Sequence, residues 1–509
     1  MIRVLSGTIF TYVTCEVLMN TFCFKVPMPN VLQVALVVLV AIATVATNYG
    51  ALYAKSNDDK RTEIASGDTH LVCGDFALSG LVVASLPINN EKELAVYRDP
   101  ISLPCEFPLG KSFTFLDEGV REKMLNSLQW GALGDAWGNP VEFAVYRFKS
   151  NIFDNGVKRI QSSKGLIEEL KRLKRLDCLA DGKLIQTDDT VMTEITLAAL
   201  ILHAQHDKEF GRCDEFMERL AHAININYEM RNTAGSYSWA DAKRAPGLQC
   251  MKAADQFSVH LAEKDFSWDR TKSGLHQRGF EGGCGRIMAA SAFGMFFYKS
   301  PALAGRLAAQ HSKISHADVV SQVACDVYAY GIARALSGED LSVTVADMIS
   351  AAEKKSQVLK VEEKIEWDAC PYKPHGMEHQ QKPYTVADRL KDACIAVSSA
   401  TSIGDAHRFY AQNTGMGAPD FVASVVFTAL YAQKYRLTMT GVCDIILHTP
   451  AKIDRDSLLS GALRFLAFFD FPSGSCNLSA ESQGLERSND RAVFNEYVIG
   501  EILRADPPK

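Results

Sequence analysis

From about residue 113 to the C-terminus, apolar residues recur at intervals of three and four along the chain. The spacing is clearest in residues 190–206, 315–336 and 419–433, where alanine fills many of the remaining positions. This period places side chains on one face of an α-helix, whereas the every-second-residue alternation of β-strands is scarce here. Small side chains also let helices approach one another closely. The pattern predicts a compact all-α domain over residues 113–509.

The first 56 residues follow a different pattern, with no charged side chain between Lys25 and Lys55. Residues 31–53 are mostly apolar and, as a helix, would cross about 30 Å of hydrocarbon. A cleaved signal peptide would have a shorter apolar stretch and a small-residue cleavage site, and a core helix is seldom apolar on every side over this length. We therefore predict a membrane segment in residues 1–56, either one helix or a hairpin.

A polar stretch interrupted by prolines, residues 57–112, connects this segment to the helical domain. The basic residues Lys55, Lys60 and Arg61 follow the apolar span directly. Because basic residues flank membrane helices on their cytoplasmic side, we expect a membrane-anchored protein whose helical domain faces the cytoplasm.

Charge and cysteine usage narrow the class of protein further. The formal net charge is −6 and the pI is near 6.1, without a Lys/Arg run interleaved with aromatic residues, so we expect no nucleic-acid partner. Thirteen cysteines are scattered without a C-x-x-C pair. This usage suits free thiols in a reducing compartment better than a disulfide framework.

Two acidic clusters stand at the starts of predicted helices. Taken singly, each cluster is explained by helix capping, because acidic and hydroxyl side chains stabilise a helix N-terminus. Taken together, they supply the several hard oxygen ligands that divalent cations need, and bound cations would relieve the repulsion between neighbouring carboxylates. The candidate metal ligands are Thr187, Asp188, Asp189, Asp454, Asp456 and Ser457.

Two groups of glycines indicate further parts of a site. Gly131, Gly134 and Gly138 weaken a helix, so their recurrence suggests a close backbone approach or a helix end near Asp135 and Glu142. Residues 282–285 form a second glycine cluster at the entry to a helix, where backbone N–H groups could hold phosphate oxygens. A simple tight turn is the alternative for this second cluster.

Several segments, in this order and spacing, resemble the ADP-ribosylglycohydrolase family, whose members include relatives of the dinitrogenase reductase-activating glycohydrolase. The resemblance covers about residues 115–470. Its motifs are GALGDAWGNPVEF (131–143), QTDDTVMT (186–193), RAPG (244–247), GGCGRIM (282–288), Ser315-His316, GMGAPDFVASVVFTALYA (415–432) and IDRDSLLSGA (453–462).

The resemblance implies an all-α fold with a binuclear Mg²⁺ centre held by the six residues above, Mn²⁺ being a frequent substitute. It implies that Glu142 lies on a mobile loop near the scissile bond and that Asp135 supports the site. The phosphate region of the substrate would be lined by residues around the second glycine cluster. These residues are Gly283, Cys284 and Gly285. Glu281 stands where some relatives carry an acid proposed for catalysis, and His316 matches another family position; both are expected to belong to the substrate-binding residues.

The reaction implied by the resemblance is hydrolysis of a glycosidic bond at C1″ of ADP-ribose. This reaction develops oxocarbenium character in the ribose, and two cations can hold the ribose hydroxyls and orient or activate a water. Glu142 or Asp189 could act as the base or assist the leaving group. The expected substrate is an ADP-ribosylated protein side chain, with ADP-ribosylarginine as the first linkage to test.

Two other functions stay open at this point. The enzyme could instead hydrolyse another conjugate, such as serine-linked ADP-ribose or O-acetyl-ADP-ribose, or the chain could be a degenerate, membrane-tethered ADP-ribose-binding protein. Ile453 and Ala289 depart from the family pattern, and Arg455 stands between two candidate ligands. We expect Arg455 either to form an ion pair with Asp454, which would compete with metal, or to face outward.

Overall fold

The computed structural model describes residues 88, 90–108, 117–148, 162–172, 179–207, 210–211, 213–262, 282–369 and 385–504, with the backbone alone for 142–148, 260–262 and 358–369. The chain divides into two units, residues 1–82 and 83–509, and every described residue belongs to the second unit. The predicted membrane segment and Glu281 lie outside the described residues.

The described part of the second unit is predominantly helical, as the sequence predicts. One two-stranded antiparallel hairpin, β1 Leu179–Ala180 and β2 Lys183–Leu184, accompanies the helices. Short 3₁₀ turns cover Pro100–Ser102, Met230–Asn232 and Ala242–Arg244. The α-helices are α1 Glu91–Arg98, α2 Leu103–Glu106, α3 Glu118–Phe148, α4 Ser163–Arg172, α5 Asp188–Ala204, α6 Cys213–Glu229, α7 Leu248–Ala262, α8 Ile287–Phe296, α9 Pro301–Ser312, α10 Val319–Leu336, α11 Leu341–Ala369, α12 Val386–Ser399, α13 Ile403–Gln412, α14 Ala418–Tyr435, α15 Met439–Leu447, α16 Arg455–Leu466, α17 Leu478–Ser482 and α18 Ser488–Arg504.

Part of the predicted connector is helical. Helices α1 and α2 lie within residues 57–112, and their side chains Val96, Tyr97 and Leu103 belong to the hydrophobic core of the second unit. In the residues that the structure describes, no helix combines the length and the apolar character that crossing a membrane requires.

Helix α5 occupies the centre of the domain. Every residue from Asp188 to His203 is buried, which is the burial expected of a helix that is apolar on most sides. Helices α6 and α8 pack against α5, while α3 packs along α16, and α8 and α11 pack against α10. The first turns of α5 and α16 therefore lie inside the domain, where charged side chains lose contact with water.

Several helix starts follow from capping residues that the sequence displays. Thr187 is the N-cap of α5, and its Oγ1 accepts a hydrogen bond from the Asp189 N–H at 3.3 Å. Asp117 accepts from the Val120 N–H at 3.2 Å and opens α3. Asp318 accepts from the Ser321 N–H at 2.7 Å and opens α10. These side chains satisfy N–H groups that lack a partner in the first turn of a helix.

The three glycines of α3 form a seam against α16. A Cβ at Gly131 would stand 2.6 Å from Arg464 Nε, and one at Gly134 would stand 2.7 Å from the Leu459 carbonyl carbon. A Cβ at Gly138 would collide with the backbone of Asp456. The glycines therefore mark a close approach of two backbones inside α3 rather than a helix end, and this approach brings Asp135 to the N-terminus of α16.

Candidate active site

Asp135 ties α3 to the first turn of α5. Its buried carboxylate accepts hydrogen bonds from the Thr187 N–H at 3.0 Å and from Thr187 Oγ1 at 2.6 Å. It also accepts from the Thr190 N–H at 3.1 Å and from Thr190 Oγ1. Burial raises the pKa of Asp135, and these four donors oppose that rise. The carboxylate thus fixes the position of the helix N-terminus that carries Asp188 and Asp189.

The two aspartates that follow Thr187 differ in their partners. Asp188 Oδ2 accepts a hydrogen bond from the Gly247 N–H at 3.2 Å, so the RAPG segment packs directly on the first turn of α5. Asp189 Oδ2 is buried and has no hydrogen-bond partner among the described residues. A buried carboxylate oxygen without a donor is costly unless a ligand or cation satisfies it.

The N-terminus of α16 carries the second acidic cluster. Asp454 is the N-cap residue, and its N–H donates to the Thr414 carbonyl at 2.8 Å. Asp456 Oδ1 accepts from the Ser457 N–H at 3.0 Å, and Ser457 Oγ lies 3.1 Å from the sulfur of Met288. Helix α16 therefore begins at the residues that the sequence singles out.

The structure brings the two clusters together. Burial raises the pKa of Asp189 far above its usual range, and the charges of Asp135, Asp188, Asp456 and Asp454 add to the rise. Burial likewise raises the pKa of Asp456 strongly, followed by the charge of Asp454 and a hydrogen bond with it. Carboxylates separated by about 265 residues in sequence thus repel one another across one site.

Arg455 does not face outward. Its side chain is buried, and its Nη2 donates to the carbonyl oxygens of Thr449 at 2.5 Å and Ala451 at 3.0 Å. The guanidinium is thereby attached to the loop that precedes α16, and these hydrogen bonds stabilise that loop.

The glycine loop at residues 282–285 lies beside the acidic clusters. Gly282 has a φ of +44°, and the loop pairs with residues 416–418 through the Cys284 N–H to Met416 carbonyl bond of 2.9 Å. The Gly282 N–H donates to Asp318 at 3.1 Å, which leaves the N–H groups of Gly283 and Gly285 as the candidates for phosphate contacts. Cys284 Sγ donates to Asp454 Oδ2 at 3.2 Å, and burial raises the pKa of this thiol far above its usual range.

His316 lies directly beneath this loop. The site of a Cβ on Gly285 would stand 3.1 Å from the His316 ring, so a larger residue at position 285 would collide with it. His316 Nδ1 is 2.9 Å from Ser315 Oγ, and burial lowers the pKa of His316 to about 3. A neutral imidazole in this position can support the loop or contact an uncharged part of a substrate.

Two buried cations compensate the negative charge of the site, and neither is evident from sequence alone. Arg464 donates to Ser291 Oγ at 2.8 Å and interacts with the charge of Asp189. Arg286 donates to Ser315 Oγ at 2.6 Å and interacts with the charge of Asp188. The sequence signal for such a cation is an arginine inside an apolar helical stretch, as at Arg464. An arginine in this position is expected to be buried, and a buried arginine needs partners.

A third buried arginine anchors the loop between α13 and α14. Arg389 binds Asp420 through Nε at 2.8 Å and Nη2 at 2.6 Å and also donates to Asn413. Asp420 lies in the first turn of α14. Its carboxylate serves this buried ion pair, which holds residues 413–417, the segment that contacts both Cys284 and Asp454.

The donor set fits a hard divalent cation. It consists of carboxylate and hydroxyl oxygens at two helix N-termini, with one buried carboxylate oxygen of Asp189 unsatisfied among the described residues. Within the same described ranges, no three His, Cys, Asp or Glu side chains already form a metal-binding group. Binding would therefore require these side chains to draw together around the ion.

The structure does not describe the side chains of two predicted site residues. Glu142 belongs to α3, of which only the backbone is described at that position, and Glu281 lies outside the described residues. Asp135 and Asp189 lie in the site, and His316, Gly283, Cys284 and Gly285 surround it.

Comparison with known proteins identifies the family of the chain. The sequence model of the family described as ADP-ribosylglycohydrolase matches residues 116–449, about two thirds of the chain. No curated protein matches the sequence. A solved structure, an ADP-ribosylglycohydrolase-related protein complex, is similar at 14% sequence identity and a TM-score of 0.43, covering 75% of this chain and 98% of that chain. The extent of the family match places the chain among the hydrolases of the glycosidase type, and it belongs to the ADP-ribosylglycohydrolase family.

Proposed function

We propose that the protein is a metal-dependent hydrolase that removes ADP-ribose from a modified protein side chain, with ADP-ribosylarginine as the first linkage. The observation that carries the proposal is the meeting of two acidic helix N-termini in one buried site. An unsatisfied oxygen of Asp189 supports it, because a structural cluster would be expected to satisfy its own buried groups. Family membership supports the reaction class.

We assign the binding of two Mg²⁺ ions, or Mn²⁺, to oxygen atoms on both helices. When bound, such ions polarise oxygen atoms, lower the pKa of coordinated water and orient sugar hydroxyls. The ligands would be Thr187, Asp188, Asp189, Asp454, Asp456 and Ser457.

The remaining residues would orient the substrate and move protons. Asp135 accepts four hydrogen bonds from the first turn of α5, so we assign it the role of a positioning residue. Asp189 Oδ2 is an acceptor without a donor among the described residues, which suits a group that takes up a proton from water. Glu142 stays a second candidate for this base. The N–H groups of Gly283 and Gly285 would hold phosphate oxygens of ADP-ribose.

A panel of defined conjugates tests the linkage. Metal-free protein would be given Mg²⁺ or Mn²⁺ and incubated with proteins modified on arginine or serine and with O-acetyl-ADP-ribose, and released ADP-ribose would be measured by chromatography. We expect turnover of the arginine conjugate. Release from another conjugate alone would reassign the substrate. Calorimetric binding of ADP-ribose without turnover of any conjugate would contradict the proposed hydrolase and support the binding protein.

We also propose that residues 1–56 attach the protein to a membrane, with the helical domain on the cytoplasmic side. The long uncharged stretch at 31–53 and the basic residues behind it support this topology. Carbonate extraction of cell membranes would retain the full-length chain in the pellet and release a variant without residues 1–56. Extraction of both chains alike would contradict the attachment.

A further inference from the structure

The glycine loop presents a thiol to the candidate metal ligands. Cys284 Sγ lies 3.2 Å from Asp454 Oδ2, and both residues are held by the same short loop segment. The Cys284 N–H bonds the Met416 carbonyl at 2.9 Å, and the Asp454 N–H bonds the Thr414 carbonyl at 2.8 Å. Because both backbones are attached to residues 414–416, the fold places the two residues beside each other, within reach of a contact between thiol and carboxylate.

A second, independent feature of the site points to a ligand at the same place. Asp189 is 2% exposed, and its Oδ2 has no hydrogen-bond partner among the described residues. Cys284 interacts electrostatically with Asp454, Asp189 and Asp456, so the thiol and this unsatisfied oxygen belong to one cluster. Cys284 itself is 8% exposed, which leaves the thiol within the protein and close to the two acidic clusters.

We infer that Cys284 is a soft donor at this site, so that the protein binds thiophilic divalent cations, such as Cd²⁺ and Zn²⁺, through sulfur as well as oxygen. The inference rests on the proposed function, because it uses the same metal-binding carboxylates. Mg²⁺ prefers oxygen ligands and would leave the thiol protonated, whereas softer ions bind thiolate strongly. On binding, the S–H bond breaks, a sulfur–metal bond forms, and the proton leaves to solvent.

The consequence is a site whose occupancy depends on which cation is available. A thiolate bond to Cys284 would hold a soft ion in place of Mg²⁺ beside Asp454 and Asp456. Zn²⁺ and Cd²⁺ should therefore compete with Mg²⁺ and inhibit hydrolysis at concentrations far below that of Mg²⁺. The neighbouring Cys250 thiol instead contacts the Gly285 carbonyl and Ser315.

The test uses Cd²⁺ as the probe with the full-length, metal-free protein. Cd²⁺ and Mg²⁺ affinities would be measured by calorimetry, and the ultraviolet charge-transfer band of a thiolate–Cd²⁺ bond would be recorded for the wild type, Cys284→Ser and Cys284→Ala. Cys325→Ser is the matched control, because Cys325 is another buried thiol that lies on α10 and outside the acidic clusters. Circular dichroism would show whether each variant is folded.

We expect the band in the wild type and in Cys325→Ser and its loss in both Cys284 variants. The ratio of Cd²⁺ to Mg²⁺ affinity should fall at least about tenfold in the Cys284 variants, because the loss of even an outer-shell partner of a metal ligand typically lowers metal affinity about 10–100-fold. A Cd²⁺ complex without the band, or an unchanged ratio in Cys284→Ser, would overturn the role of Cys284 alone. Wild-type protein that binds neither Mg²⁺ nor Cd²⁺ would contradict the metal-dependent function as well.

Discussion

At the scale of single residues, neighbouring aspartates in this site have different tasks. Asp135 accepts hydrogen bonds from two backbone N–H groups and two hydroxyls, so its lone pairs are used in holding the start of α5. Asp189 lies within this first turn, and its Oδ2 has no hydrogen-bond partner among the described residues. Their hydrogen-bond partners therefore distinguish Asp135, a positioning residue, from Asp189, a candidate metal ligand and base. Residue type alone does not make this distinction.

Replacing Asp189 by asparagine should stabilise the metal-free protein. The change removes a buried charge that other carboxylates repel, at nearly constant volume, and we expect a gain of about 1 kcal/mol in the free energy of unfolding. Urea denaturation in the presence of a chelator would measure it. With Mg²⁺ added, only the wild type should be stabilised further, since a ligand that binds the native state raises its stability. A metal-free variant less stable than the wild type would contradict the repulsion.

The same repulsion predicts a pH dependence with a definite sign. Burial and neighbouring charges raise the folded-state pKa of Asp189 above its unfolded value, so the folded chain holds this proton more tightly. Its stabilising contribution is complete below about pH 4, the ordinary aspartate range, and is lost as the pH rises through the raised pKa. The stability difference between Asp189→Asn and wild type should thus grow from about pH 5 to about pH 8 without metal. A constant difference over this range would contradict it.

The sequence identifies the acidic residues because each cluster opens a helix and carries oxygen-bearing side chains in a family pattern. It does not identify Arg464 or Arg286 as their counterions. Both arginines interact with the charges of the α5 aspartates, Arg464 from α16 and Arg286 from the N-cap of α8, and the sequence does not show that these segments fold against the start of α5. The contact of Cys284 with Asp454 is hidden for the same reason.

At the scale of elements, the packing of α3 against α16 determines whether the two acidic clusters meet. Gly138 allows the backbone of α3 to lie against the backbone of Asp456, one turn from Asp135. The sequence predicts the helices and, from the three glycines, either a close backbone approach or a helix end, but it does not identify α16 as the partner. It does not predict the pairing of residues 282–284 with 416–418, because backbone hydrogen bonds between distant loops leave no periodic pattern.

Adding a methyl group at the seam should damage the site through packing. Gly138→Ala would push the methyl group into the backbone of Asp456, and overpacking of this kind costs about 1–3 kcal/mol or more. Gly119→Ala on the same helix is the control, because its Cβ would meet only Asp117 Oδ1 at 3.8 Å. This control should be neutral or stabilising, since alanine favours helix over glycine. Thermal unfolding and Mg²⁺ calorimetry would compare the two, and equal effects would contradict the seam.

At the scale of the whole described domain, the C-terminal helices complete the site beyond the family match, which ends at residue 449. Helix α16 supplies the second acidic cluster, and α18 supports α5 through the buried pair between Arg491 and Glu194 at 2.8 Å. Arg244 of the RAPG segment joins the Gln186 carbonyl at 2.8 Å to Glu486 at 2.6 Å. The two arginines bind Glu194 within α5 and Gln186 just before it. Together they support the start of α5.

Breaking the buried pair should destabilise the whole domain. Arg491→Met leaves the Glu194 carboxylate buried without its cation, a loss that costs about 3–5 kcal/mol. Arg504→Met on the same helix removes a partly exposed partner of Glu501 and should cost less than about 1 kcal/mol. Urea denaturation measures both changes. Similar losses of unfolding free energy in the two variants would show that the Arg491–Glu194 pair stabilises the domain no more than a partly exposed pair does.

The central claim is that the acids of α5 and α16 act as one metal-dependent hydrolytic site. The most direct measurement is the rate of ADP-ribose release from an ADP-ribosylarginine protein as a function of Mg²⁺ concentration, for wild type, Asp188→Asn and Asp456→Asn. We predict Mg²⁺-dependent release by the wild type and a loss of at least about a hundredfold in each variant, as when one preorganised group of an active site is removed. Unchanged release by either folded variant, or wild-type release that persists in a chelator, would contradict the claim.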